Sequence, residues 1–240
     1  MDKITDVLFQ EVSQFLQKGI NLEAKIKEIG ISIREQSKSA YGSDLLDARM
    51  NLLSIASFLL ECRANKPGRT SENISSRLQL ITIFLQGTNY IEDLISEGQY
   101  IKAFAAIKQD YEILARINAI KKKADVYGKV PNVKNLPLEV RKFYGEINDV
   151  AHIAKTDILN NLIFKKLEDE ISGVSPYPVF IADIAKNLYE LHLFLIVSIV
   201  REQIILLNEM YDDLENEMKQ IHKYFIISIN LLEKAGFIVE

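Results

Sequence analysis

Three charged residues stand four apart at Lys108, Glu112 and Arg116, and two further polar residues, Asp149 and His152, stand three apart about forty positions later. At 100° per residue each set falls on one face of a helix. A lysine, a carboxylate and an imidazole brought together can exchange protons or hold a small polar ligand. In the helix expected over 99–123 they lie in a strip between Ala105, Ala115 and Ala119, whose small side chains let another helix approach. Glu112 ahead of Arg116 also suits a plain surface ion pair. Asp110 projects into the apolar arc of the same helix, among Ala106, Ile107, Leu114 and Ile117, and so needs a partner.

The second set lies in "FYGEINDVAHIAKTDI", 143–158. Phe143, Ile147, Val150, Ala151 and Ala154 form the expected core stripe of that helix, while Gly145, Asn148, Asp149, His152 and Thr156 fall on the other side. His152 therefore faces water, or that face meets a second element and closes a polar pocket. Gly145 would permit such an approach, and the helix of 99–123 is the best cover.

Other chemistries lack their residues. Asp149-x-x-His152 is half of a di-metal helical motif with no second half, so no metal site is expected. Neither Gly-x-Gly-x-x-Gly, a phosphate loop nor Gly-x-Ser-x-Gly occurs, and no cofactor is expected. Cys62 is the only cysteine, which excludes intrachain disulfides and cysteine-based zinc sites; it is expected to pack as a small hydrophobe. His192 falls on the stripe of Leu188, Leu195, Ile199 and Leu206 and is expected to be a hydrogen-bonded core histidine, with His222 solvated.

The elements that must position these groups are helices. Apolar residues recur at steps of three and four almost throughout, as in Ile4, Leu8, Val12, Phe15 and then Leu22, Ile26, Ile29, Ile33. Helices are expected from Ser43 to about 64, from a Thr70 or Ser71 cap to Gly87, over about 89–97, over 99–123, from Pro137 to about 154, from Thr156 to about 171, over 179–209 and over 213–235. No stretch competes as a strand. The fold class is all-α, an antiparallel bundle of about eight helices in one domain over 1–240, with 1–64 alternatively a separable helical hairpin. The helix of 179–209 is apolar on nearly every side, so it belongs at the centre of the bundle, with a homodimer as a further way of covering it.

Charge and composition narrow the partners. The net charge of −4 at pH 7 gives no basic field, and no nucleic-acid reading motif is present, so no nucleic-acid partner is expected. Glu190, His192, Arg201 and Glu202 interrupt the most apolar stretch, which argues against a membrane span and for a soluble, cytoplasmic protein.

Two segments, "EGQYIKAFAAIKQDYEILARI" (97–117) and "YGEINDVAH" (144–152), resemble a pattern in uncharacterised all-helical prokaryotic proteins. There a Gly-x-Tyr-x-x-Ala helix carries Arg-x-x-x-Glu, and a later helix carries Tyr, then Ser or Asn, then His. Some such proteins are compared with HEPN-type domains of phage-defence and toxin–antitoxin systems. Gly98, Tyr100, Ala103, Glu112, Tyr144 and His152 match, while Lys108 replaces the arginine. The HEPN ribonuclease signature, Arg followed by four to six residues and His, is absent, so the resemblance does not carry nuclease activity. It does imply that Lys108, Glu112 and His152 converge. Two readings follow. One is a non-catalytic helical protein acting through protein contacts, with a protein partner or a second copy, in a stress or defence system. The other is an enzyme or small-ligand binder with Lys108, Glu112 and His152 in a polar pocket, and Asp110, Tyr144, Asn148 and Asp149 as ligand-binding candidates.

Overall fold

The computed structural model describes residues 3–124, 128–136, 138–152, 160, 164–168 and 171–237. The architecture is all-α. Seven helices are present among the described residues: α1 (Lys3–Tyr41), α2 (Ser43–Glu61), α3 (Glu72–Ser96), α4 (Tyr100–Lys121), α5 (Leu138–Ala151), α6 (Ala182–Met210) and α7 (Glu215–Lys234). A short 3₁₀ turn, Val133–Asn135, precedes α5.

Local chemistry sets several of the ends. Gly42 takes φ 76°, the left-handed region that glycine enters most easily, and separates α1 from α2. Ser71 caps α3 by accepting a hydrogen bond from the Ile74 N–H. Gly98, at φ 75°, turns the chain from α3 into α4; a Cβ there would lie 2.6 Å from the Val179 carbonyl oxygen. The expected break at Gly87 is absent, and α3 runs through it as one helix of 25 residues. An interior glycine costs only about 1 kcal/mol, and Phe84, Thr88 and Ile91 bury the same face on either side of it.

Ion pairs and hydrogen bonds near the helix ends show how neighbours run. Arg63, just past α2, pairs with Glu217 in the first turn of α7 at 2.9 Å, and Lys234 at the end of α7 pairs with Asp44 at the start of α2 at 3.0 Å. Asn73 near the start of α3 donates to the Ile120 carbonyl at the end of α4. Arg77 in α3 grips Glu209 near the end of α6 through both terminal nitrogens. Each of these pairs is antiparallel.

Helix α6 is the centre, as its all-round apolar character requires: it packs against α1, α2, α3 and α4. Leu195, Ile196, Val197, Ile199 and Val200 are all buried, in the same cluster as Leu45, Leu52 and Ile55 of α2. Where a helix was expected up to about 171, Phe164–Glu168 and Ile171–Val174 form an antiparallel hairpin with an irregularity between Lys166 and Glu168. Short runs do not separate strand from helix by period alone, and the β-branched Ile171 and Val174 with Gly173 favour the extended form. Thr156 and Pro137 lie outside the described residues.

A polar layer crosses this core. The rings of Tyr41 and Tyr189 stack at 4.0 Å, Ser96 donates to Glu92 at 2.8 Å, and Arg49 donates to Asn89 at 2.9 Å. His192 is buried as expected, but its Nε2 has no hydrogen-bond partner. Burial, with the nearby Arg49 charge, pushes its pKa down to about 3, so the ring is neutral. Asp110 is also buried, 4% exposed, yet the expected partner is missing at Oδ2. Neutralisation stands in for pairing, since desolvation pushes the carboxyl up to about 8.

That carboxyl imposes a pH dependence. In the unfolded chain it titrates near 3.8. Its contribution to stability is therefore complete below that pH and is lost as pH rises through 8. Asp110→Asn, which never ionises, removes the dependence. The gap between variant and parent in urea unfolding should move in the variant's favour by about 5 kcal/mol from pH 4 to pH 8. A constant gap would show that Asp110 ionises freely in the fold.

Candidate functional site

The candidate residues come from two packed helices. Helix α4 turns Lys108, Glu112 and Arg116 along one edge while Ala103, Ile107, Tyr111, Leu114 and Ile117 enter the core. Helix α5 packs against α4 and buries Ile147 and Val150. Phe143, expected in that stripe, is 52% exposed. Tyr144 and Asn148 are half-buried, and Asp149 is also half-buried. His152 follows the last residue of α5 and is held by its N–H donating to the Asn148 carbonyl at 3.0 Å.

The two edges meet. Lys108 Nζ lies 2.8 Å from His152 Nε2, Lys108 Nζ lies 3.8 Å from Glu112 Oε1, and the Tyr144 hydroxyl donates to the same Glu112 oxygen at 3.1 Å. The resulting chain is His152–Lys108–Glu112–Tyr144. An ammonium has donors only, so in this contact Lys108 donates and Nε2 accepts. Glu112 thus reaches His152 through Lys108. Arg116, one turn on, donates to the Lys129 carbonyl at 2.7 Å and ties down the segment after α4.

The chemistry is that of a rim. Lys108 and Glu112 keep 18% and 26% of their side-chain surface, and His152 is exposed. Gly145 borders open space, with no atom within 4 Å of where a Cβ would sit, so its face is not the close approach expected of it. Tyr144 is the most perturbed member. Burial first, then the Glu112 charge and the hydrogen bond to it, push the phenol up to about 12, so it stays a donor. Its ring leans on Tyr111, 6.2 Å between centroids, whose own hydroxyl is buried without a partner. One turn beyond Arg116 lies a cleft of about 280 Å³ lined by Ala119, Ala124, Lys129, Val130, Pro131, Asn132 and Asn135. Nothing in the spacing of 119–135 points to it, because a loop closes it. Asp110 belongs to the core. No group of three or more His, Cys, Asp or Glu suited to a metal ion occurs among the described residues.

A double-mutant cycle tests the best-buried link. Tyr144→Phe and Glu112→Gln should show a coupling of about 0.5–1 kcal/mol in unfolding free energy. Additive losses would mean the hydroxyl and the carboxylate do not meet in solution.

Comparison with family models, with curated proteins and with solved structures finds no match to this chain.

Proposed function

We propose that this chain is a non-catalytic helical protein that acts by docking another protein on the apolar face of α1. One observation carries the reading. Every residue from Phe9 to Lys25 is exposed, including Phe9 and Phe15 at 73%, Leu16 at 61% and Ile20 at 59%. The apolar stripe read from the sequence enters the core at Ile33, which is 4% exposed. Earlier in the helix it leaves the bundle. A contiguous apolar face of this size on a folded chain marks an interaction site. No helix among the described residues is long and apolar enough to cross a membrane, which favours a protein as the covering surface. The resemblance to HEPN-like proteins supports a cytoplasmic stress or defence setting as the context for such a contact.

The test is one of stability. Phe15→Glu with Leu16→Glu touches nothing in the bundle. In dilute, monomeric protein it should shift the unfolding free energy by no more than about 0.5 kcal/mol. A loss of several kcal/mol would show that α1 packs on its own bundle, and the docking face would not exist.

The 2.8 Å contact between Lys108 and His152 favours a second reading, a small-ligand site at the α4–α5 edge with Glu112 and Tyr144. Thermal-shift titration with inorganic phosphate and with acetate is its test. Stabilisation of the parent that Lys108→Ala abolishes supports it, and an equal response in both sinks it.

A further inference from the structure

The exposed part of α1 has a more regular pattern than a general docking face needs. Val12, Phe15, Gly19, Leu22, Ile26 and Ile29 are separated by alternating steps of three and four, the repeat by which one helix seats against another in a left-handed coiled coil. Beside that seam Phe9, Leu16 and Glu23 line one flank, and Glu11, Lys18 and Lys25 line the other.

We propose that the partner of α1 is the α1 helix of a second copy of this chain, running antiparallel and centred near residue 17. This rests on the protein-contact reading above and names its partner. In an antiparallel pair like flanks meet, so Leu16 faces Leu16 and the charged flank faces itself. In a parallel pair Leu16 would face the second copy's Glu11 on both sides. The antiparallel register also matches shapes: Phe15 lies opposite the second copy's Gly19, twice over, so the large ring fills the space the missing side chain leaves. A parallel pair would set Gly19 against Gly19 and leave a void. In the same register Val12 meets Leu22, Leu16 meets Leu16 at the dyad, and Glu11 meets Lys25 twice. Two unfavourable meetings remain, Lys18 with Lys18 at the dyad and Phe9 with the second copy's Glu23.

The area is sufficient. Phe9, Val12, Phe15, Leu16 and Leu22 are 42–73% exposed. Together they present about 300–550 Å² of apolar surface at roughly 150–250 Å² per aromatic and 60–120 Å² per aliphatic side chain. A stable interface buries about 800 Å² per partner, of which about 60% is apolar, and the face matches that.

Sedimentation velocity on the full chain tests the proposal. The parent should be a dimer up to ~0.1 mM, with dissociation on dilution, and Phe15→Glu should be a monomer. Lys18→Ala decides orientation. Removing the dyad repulsion should tighten an antiparallel dimer about two- to five-fold, whereas a parallel dimer would lose its Lys18–Glu23 pair and weaken. Weakening by Lys18→Ala, or a dimer that survives Phe15→Glu, overturns the arrangement. A parent that stays monomeric overturns the self-association altogether. Hydrogen exchange on that monomer then separates the two readings: fast exchange over 9–24 leaves the face open to a different protein, and slow exchange means the chain covers it itself, so that both fall.

Discussion

A helix that is apolar on all sides must be covered on all sides, and α6 is such a helix. Its burial dictates the rest of the bundle. Helices α1, α2, α3 and α4 are arranged around it, and α7 closes over α2 through pairs at both ends. Burying each large side chain contributes roughly 1.5–3 kcal/mol, so the five consecutive apolar positions Leu195–Val200, Ser198 aside, outweigh any single polar contact in the fold. The cost shows in the groups drawn in with them. His192 and Asp110 enter the core with polar atoms unpartnered and stay there by holding neutral forms.

Those two groups act in opposite directions. His192, with its pKa depressed, contributes stability that is present above about 6.5 and lost as pH falls towards 3. Asp110 loses its contribution as pH rises from 3.8 through 8. Between about pH 4 and 6.5 one proton bound in the folded chain offsets one excluded from it, and the two slopes cancel.

What the sequence made legible was whatever follows from period and burial. The all-round apolar run of α6, the burial of Asp110 and His192, and the shared edge of Lys108 and Glu112 all follow from helix angles. The meeting of that edge with His152 and Tyr144 came from the resemblance and the two faces together. Three features were beyond such reasoning. The a–d stripe of α1 looks the same whether its own chain or another molecule covers it, so the exposure of Phe15 was not legible. Gly87 carries the same local signal in a helix interior as at an end, and only the packing of Phe84 and Ile91 decides. The Tyr41–Ser96 contact joins residues 55 positions apart, and no local pattern encodes such a pairing.

Helix α1 is fastened to the bundle only along its later half. Arg34 reaches Asp93 and Glu97 at 2.6 and 2.8 Å, Ser37 donates to the Ser96 carbonyl at 3.0 Å, and Gly30 lies against Glu97. Beyond that hold, the stretch from residue 3 to residue 28 is about 38 Å of unbroken helix at 1.5 Å per residue. It is a lever with a fulcrum at Arg34. A tilt of about 10° there would carry the far end through roughly 8 Å, so the carboxylates of Asp93 and Glu97 set the direction in which whatever is bound along the arm is held.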